Sequence, residues 1–242
     1  MRMRKKPNLI PRMEKCAKVQ IMEPETLRGQ WKSTFPGFKQ LHVELGCGKG
    51  RFTANTAEAN PDNFLVAIEK VPDAMVVAME RVCDMGLENV RFMDRDVVLL
   101  PEIFEKGEVD RVYINFCDPW PKSRDAKYRL TAPDFQRKYA DILPVGGQIH
   151  FKTDNTPLFT WSLEQFKNEG WALSEVTNNL HENGPVGIMT DYEAKFHAEG
   201  MPINRLVATK TADTKDSSAG SAGRLRNAWL SDAKGHQEEE EE

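Results

Sequence analysis

Glu44 stands two residues ahead of a run in which glycine takes every second position, Gly46-Cys47-Gly48-Lys49-Gly50. The apolar stretch 41–45 leads into this run and a helical pattern follows it. The glycines therefore fall where a strand turns into a helix. Glycine tolerates positive φ there and lets a ligand approach the backbone closely. In open α/β sheets that place, the carboxyl end of a strand, is where ligands bind. A dinucleotide fingerprint would need its third glycine at position 51, which is Arg51, and a GxxxxGK[ST] phosphate loop is absent. Taken alone, a glycine-rich turn is also just a turn. Two more carboxylates give it meaning. Glu69 closes the next apolar strand, where an acid can accept both hydroxyls of a ribose. Asp96 follows the third strand and can receive an exocyclic amine, with Asp94 as the competing choice. A single acid after a strand is commonly a helix cap or a solvated residue. Three at successive strand ends, behind a glycine loop, point to one nucleoside-sized ligand that also carries a cation for Glu44.

A second group follows the fourth strand: Asn115-Phe116-Cys117-Asp118-Pro119-Trp120-Pro121-Lys122. Two prolines fix φ and keep the loop out of helix and sheet. Trp120 offers a flat face to a base, although a tryptophan more often fills a core. Asp118 is an acid next to that face, and Lys122 is placed to meet a phosphate.

Strands at 41–45, 64–69, 90–93, 109–116 and 146–152 must position these groups. They alternate with helices expected near 51–60, 72–85, 132–143 and 156–169. Such alternation predicts a parallel sheet with right-handed crossovers. Two late strands, 171–177 and 203–209, have no long helix between them, which predicts an antiparallel strand at one edge. Residues 24–38, with Pro24, Gly29, Trp31, Pro36 and Gly37, read as a short helix or turn. Residues 1–20 show no clean period and read as a flexible basic arm. The expected organisation is a basic arm and lead-in over 1–38, an α/β domain over 39–210 and a disordered acidic tail over 211–242.

The 242 residues are 40% apolar and 29% charged, an ordinary globular composition. No apolar run approaches a membrane span, and the basic start lacks the apolar stretch of a secretory signal. A mitochondrial leader fits poorly with Pro7 and Pro11. Cys16, Cys47, Cys83 and Cys117 lie more than 30 residues apart, which argues against a disulfide framework or a metal site and for reduced thiols in a cytoplasm. The net charge of −4 resides in the tail, where 211–242 hold eight acids and four bases; the remainder carries 29 of each. Bases cluster at Arg2, Arg4, Lys5, Lys6, Arg12 and Lys15, and again at Lys122, Arg124, Lys127, Arg129, Arg137 and Lys138. Both clusters are compatible with nucleic acid.

Beyond these groups, the chain resembles the bacterial tRNA (guanine-N7-)-methyltransferases, class I enzymes that use S-adenosyl-L-methionine. The GxGxG run behind an acid resembles the first motif of that class. The family pattern is carried by RMRKKP near the start, ELGCGKG, IE at 68–69, RVYINFCDPWPK at 111–122, KYRLT at 127–131, GGQIHFKTDN at 146–155 and IMTDYEAKF at 188–196. These stretches occur in family order. DPWPK together with FKTDN is specific to that family among methyltransferases. Cys117 departs from the pattern, where a small polar residue such as serine is expected. The resemblance implies a Rossmann-like, doubly wound, mostly parallel seven-stranded sheet with an antiparallel edge strand. It implies that Glu44, Gly46, Gly48, Glu69, Asp96 and Asp118 line the S-adenosyl-L-methionine pocket, with Asp118 also catalytic. Lys122, Asp154, Thr190, Asp191, Tyr192 and Glu193 match substrate-binding positions. The partner implied is tRNA, methylated at guanosine 46 of the variable loop, with no metal and no membrane; the oligomeric state stays open. Three competing readings are weaker. The amino-methylating enzymes use a [DNS]PP[YFW] loop, and this loop has one proline before its tryptophan. A nicotinamide-dependent oxidoreductase conflicts with Arg51. A non-catalytic RNA-binding protein would not need the intact set of acids.

Overall fold

The structure, a computed structural model, describes residues 6–219. Seven strands form one sheet in the order β3-β2-β1-β4-β5-β7-β6. They are β1 (Gln40–Leu45), β2 (Asn63–Ile68), β3 (Val90–Met93), β4 (Arg111–Asn115), β5 (Gln148–Thr153), β6 (Ala172–Thr177) and β7 (Asn204–Thr209). The helices are α1 (Leu9–Lys15), α2 (Trp31–Thr34), α3 (Arg51–Ala59), α4 (Pro72–Asp84), α5 (Leu100–Ile103), α6 (Pro133–Ile142), α7 (Thr156–Asn168) and α8 (Asp191–Ala198). β1 to β5 are mutually parallel, so their carboxyl ends share one edge of the sheet. The antiparallel strand, β7, lies one place inside the edge, between β5 and β6. The fold is the Rossmann-like, doubly wound one, with that single adjustment to where the reversed strand sits.

Strand alternation divides the residues between two faces. On one face Leu41, Val43 and Leu45 of β1, Val112 and Ile114 of β4, and Ile149 and Phe151 of β5 are buried. They form a core with Trp31, Phe135, Tyr139, Phe159 and Phe166 from α2, α6 and α7. On the other face Ala67, Val90 and Phe92 pack under Ala54 and Ala57 of α3 and Met75, Ala78 and Met79 of α4. The same face carries His42 and Glu44, Tyr113 and Asn115, and His150 and Lys152, with Phe52 and Thr53 at the start of α3 meeting the Glu44 end of this row. Polar side chains therefore run across β1, β4 and β5 toward the shared carboxyl edge.

The amino-terminal arm differs from the sequence expectation over its described part. α1 packs on α4, where Arg12 holds Glu80 with two hydrogen bonds, at 2.7 and 2.6 Å. Cys16 and Val19 are buried, and the Ile21 N–H donates to the Phe92 carbonyl at 2.8 Å beside β3. A helix of seven residues shows no period, and its anchors lie roughly 70 residues away in sequence, so local pattern does not reveal it. At the other end, residues 211–219 are fastened to the body. The Thr211 and Thr214 hydroxyls donate to the Gly170 carbonyl at 2.9 and 3.0 Å. The acidic end, 220–242, lies outside the described residues, as do residues 1–5. Among the described residues no helix is long and apolar enough to cross a membrane.

The glycine run does two different tasks. Gly50, at φ +73°, enters α3 against α4, and a Cβ there would sit 2.5 Å from the Ala78 Cβ and 2.8 Å from its Cα. Gly46 and Gly48, at φ +75° and +56°, face open space. Gly50→Ala combines a left-handed backbone with a clash against main chain. It is expected to destabilise the domain by about 2 kcal/mol or more. Urea unfolding checks this, and a variant as stable as the parent would show that α3 and α4 do not meet there.

Candidate active site

The carboxyl edge begins at β1. Glu44 is buried below the glycine loop; the Thr53 hydroxyl donates to its Oε2 at 2.6 Å and the Asn115 side-chain amide reaches its Oε1 at 3.5 Å. Burial pushes the Glu44 carboxyl up to about 7, against the pull of Thr53, Asn115 and nearby Lys152. A negative charge is therefore held there poorly until a cation arrives. Above it, the Gly46 and Cys47 N–H groups both donate to the Ile68 carbonyl at 2.9 and 3.1 Å, which folds the loop over the end of β2. Glu69 lies next to that loop. Its two oxygens accept the Gly48 N–H at 2.8 Å and the Val71 N–H at 2.9 Å. Asp96 caps the turn after β3 by accepting the Val98 N–H at 2.9 Å, and its other oxygen pairs with Lys70. Asp94 is exposed, so of the two competing acids Asp96 is the more enclosed.

The loop after β4 is strained. Phe116 and Trp120 hold φ of 54° and 41°, a region that residues with a Cβ rarely occupy and that is found where surrounding structure enforces it. Arg129 supplies much of that enforcement. Its guanidinium donates to the Pro119 carbonyl at 3.0 Å and to the Trp120 carbonyl at 2.9 Å, and lies 4.5 Å above the Trp161 ring. The Trp120 ring leans on Tyr128, 5.2 Å between centroids. Asp118 is left exposed at the turn of the loop, and Lys122 is exposed beyond it. The sequence reading grouped Arg129 with the phosphate-holding bases. Its donors are instead spent on loop carbonyls, as the spacing to the Pro-Trp-Pro turn does not disclose. Cys117, the departure from the family pattern, turns inward, and burial pushes its thiol up to about 12. It stands as a neutral, space-filling side chain.

The third part comes from β5 and α8. Asp154 follows β5, and Tyr192 of α8 lies with its ring 5.6 Å from that of Phe116 and 4.3 Å from Phe196. Asp191 faces Arg51 at 3.9 Å and Arg81 at 3.7 Å. Thr190 and Glu193 form a capping box: the Thr190 hydroxyl accepts the Glu193 N–H at 2.9 Å, and Glu193 accepts the Thr190 N–H at 3.2 Å. Of the four residues 190–193, Asp191 and Tyr192 are therefore the two whose side chains point outward. Glu193, expected on the substrate surface, has no exposed surface. It is instead shared between Lys152 and His181. α8 itself was absent from the sequence reading, although the Thr190-to-Glu193 spacing is a helix-start signal. The roles of Thr53, Asn115 and Lys152 were also missed, and that of Arg129 was misassigned. These residues are second partners to acids and carbonyls, visible only once the strands are in register.

Open space over two glycines, a buried carboxylate lacking a cation and two further acids at adjacent strand tips suit a small ligand with a positive centre and a ribose. Beside it lie a rigid loop bearing an acid, and aromatic and basic groups facing solvent. Among the described residues no group of histidine, cysteine or carboxylate side chains has the arrangement to hold a metal ion.

Residues 39–206 match the family model of a putative methyltransferase. The tRNA (guanine-N(7)-)-methyltransferase of Bacillus velezensis is 44% identical over 206 residues, which is 85% of this chain and 95% of that protein. Those of Listeria monocytogenes and Bacillus subtilis are each 43% identical, covering 86% and 85% of this chain and 98% and 97% of theirs. Among solved structures, the 16S rRNA methyltransferase KamB superposes with a TM-score of 0.58 at 16% identity, covering 76% of this chain and 92% of its own. An antibiotic-related methyltransferase gives 0.54 at 19% identity, over 73% and 89%. These last likenesses show the fold alone. Matched over some 85% of its length by relatives of one kind at 43–44% identity, the chain belongs to the tRNA (guanine-N(7)-)-methyltransferase family.

Proposed function

We propose that the protein transfers the methyl group of S-adenosyl-L-methionine to N7 of a guanosine in tRNA, acting in the cytoplasm. The position within tRNA is guanosine 46 of the variable loop, by its resemblance to the bacterial family. The observation that carries this reading is the row of carboxylates, Glu44, Glu69 and Asp96, at successive strand ends beside the strained Asp118 loop. The relatives' activity, methylation of guanine N7 in tRNA, supports the choice of tRNA and of that atom.

The residues fit the donor. Glu44 would face its ammonium, Glu69 the ribose hydroxyls and Asp96 the adenine amine, with Gly46 and Gly48 leaving room at the backbone. When bound, the donor supplies a methyl group on a positively charged sulfur, already activated for displacement. Guanine N7 holds an in-plane lone pair and no proton, so the protein has no proton to remove before attack. The N7–carbon bond forms as the carbon–sulfur bond breaks, and the positive charge passes to the purine imidazole ring. What remains for the chain is alignment and an anion near that new charge. Asp118 is placed to do the second, or to hold the guanine Watson–Crick edge, and Asp154 stands beside it at the next strand tip. N7 of paired RNA lies in a deep, narrow groove, so the acceptor is a base exposed in a loop. Lys122, Arg124 and Lys127 lie outside the Asp118 loop, where they would meet phosphates.

Three outcomes test this reading. Nucleoside mass spectrometry of unmodified tRNA, after incubation with protein and donor, is expected to show 7-methylguanosine at the variable loop; its absence there sinks the proposal. Asp118→Ala is expected to lower kcat by about two orders of magnitude with unfolding unchanged, because the side chain is exposed. Near-normal turnover would remove Asp118 from the chemistry. Lys122→Ala is expected to weaken tRNA binding and reduce its log–log salt slope by about one, while donor affinity stays the same.

The Glu44 carboxyl gives a pH dependence. Its pKa in the free fold is raised from 4.5 to about 7, so ionisation opposes folding; this unfavourable term is full above about 7 and is relieved progressively as pH falls toward 4.5. A bound cation favours the ionised form. Donor affinity is therefore expected to rise as pH increases from 6 toward 7.5, with proton release on binding. Calorimetry in buffers of different ionisation enthalpy measures this. Glu44→Gln is expected to bind more weakly and without that release; an equal proton release from the variant would assign the linkage elsewhere.

A further inference from the structure

Glu193 lies where two halves of the site meet, and its geometry is that of a fastening. The carboxylate is completely buried. Its Oε2 accepts the Lys152 ammonium at 2.5 Å and the Thr190 N–H at 3.2 Å, and its Oε1 meets His181 Nε2 at 3.1 Å. His181 is itself buried, with its ring 4.7 Å from that of His197. Its Nδ1 accepts the Val186 N–H at 3.1 Å, so Nε2 carries the proton and donates to Glu193. Lys152 also donates to the Ile188 carbonyl at 3.0 Å and sits 5.1 Å from the Phe52 ring of α3. One carboxylate thus ties β5, the segment 181–190 and the first turn of α8 into a single network. The same lysine senses the charge of Glu44 at the floor of the donor half. No oxygen of Glu193 is left over for a base.

We infer that Glu193 is a positioning residue that never touches the guanine: through Lys152 and His181 it holds residues 186–192, and so Asp191 and Tyr192, in register with the donor half of the site. This rests on the methyl-transfer reading only for what the held segment binds. Substituting glutamine would bring an amide N–H against the His181 Nε2–H, or force the other tautomer against the Val186 N–H, and would leave the Lys152 ammonium without its counter-charge. The segment would then sample open states, and apparent tRNA affinity falls in proportion to the competent fraction.

The test compares the full-length protein with Glu193→Gln, His181→Phe and the double variant, without tRNA and then with it. His181→Phe keeps the ring volume and removes both polar atoms. Hydrogen exchange of the free protein is expected to be faster over 181–192 in both single variants. Kd for tRNA is expected to rise roughly tenfold in each, as when the competent fraction falls to about a tenth. The double variant should be no weaker than the worse single one, because both break the same network. Donor affinity at pH 8 should remain within about twofold in all three, by the same population argument. A His181→Phe protein that binds tRNA normally while Glu193→Gln does not would make Glu193 a direct contact and overturn the proposal. Unchanged exchange over 181–192 in both would overturn it too. Should a variant fail to fold, the parent protein still decides. Its Val186 and Thr190 amides must be protected before tRNA is added, and free exchange there refutes the fastening. A parent that forms no 7-methylguanosine would defeat the functional reading while leaving these exchange outcomes in place.

Discussion

A carboxylate buried at the end of the first strand dictates much of the remaining architecture. Glu44 has a hydroxyl, a stretched amide contact and a distant ammonium, which is too little to make its charge comfortable away from water. Such a group suits the cation that the proposed donor carries, which would stabilise its charge. For that cation to arrive, the backbone above must lack side chains, hence Gly46 and Gly48 in left-handed conformations over open space. For the loop to be firm nonetheless, it must be tied at both ends, hence the Ile68 carbonyl shared by two amides and the close contact of Gly50 with α4. The buried charge, the bare loop and the tight helix entry are one device.

The second half of the site stores its precision differently. In the Asp118 loop, rigidity comes from prolines and from a guanidinium that occupies carbonyls otherwise facing solvent. Two residues at positive φ carry a conformational cost of order 1–3 kcal/mol each, which the surrounding contacts must offset. The result is an acid displayed outward on a backbone that cannot relax toward the core. A reaction in which no proton has to be removed makes few chemical demands and strict geometrical ones. The loop is built to that specification: little reactive equipment, much restraint.

Much of this was legible in the sequence, because where each strand lies along the chain and the acid at its tip are local features. Five of the seven strands announce themselves as apolar runs between helices of ordinary length. Glu44, Glu69, Asp96 and Asp118 can be named because each ends such a run. The reversal at β7 was readable from the missing helix, but not its place inside the edge. That place depends on whether β5 pairs with β6 or with β7, and no local pattern encodes that choice. α1 escaped because seven residues carry no period and its anchor, Glu80, lies far along the chain. Arg129, Lys152 and Glu193 were misjudged or missed for a common reason. A charged side chain written in a sequence looks available, and only the folded register shows which ones already have partners.

That last point bears on how the acceptor is chosen. With Arg129 and Lys152 engaged, exposed cations such as Lys122 are, among the described residues, the ones turned toward a polyanion. In the proposed function such cations would meet phosphates, which hold a nucleic acid without reading its bases. In that proposal, base choice would fall to a small set: Asp118, Asp154, and the outward-facing pair Asp191 and Tyr192. Three of these four are acids, able to accept the N1–H and N2–H groups of a guanine edge. Tyr192, leaning on Phe116, supplies an apolar face beside them. The donor half is fixed by its own strand tips, whereas the acceptor half hangs on a loop and a helix of eight residues that would wander if left to themselves. Selectivity for one base therefore depends on whatever keeps that short helix in place, and in this fold the deepest such contact is an ion pair hidden beneath it.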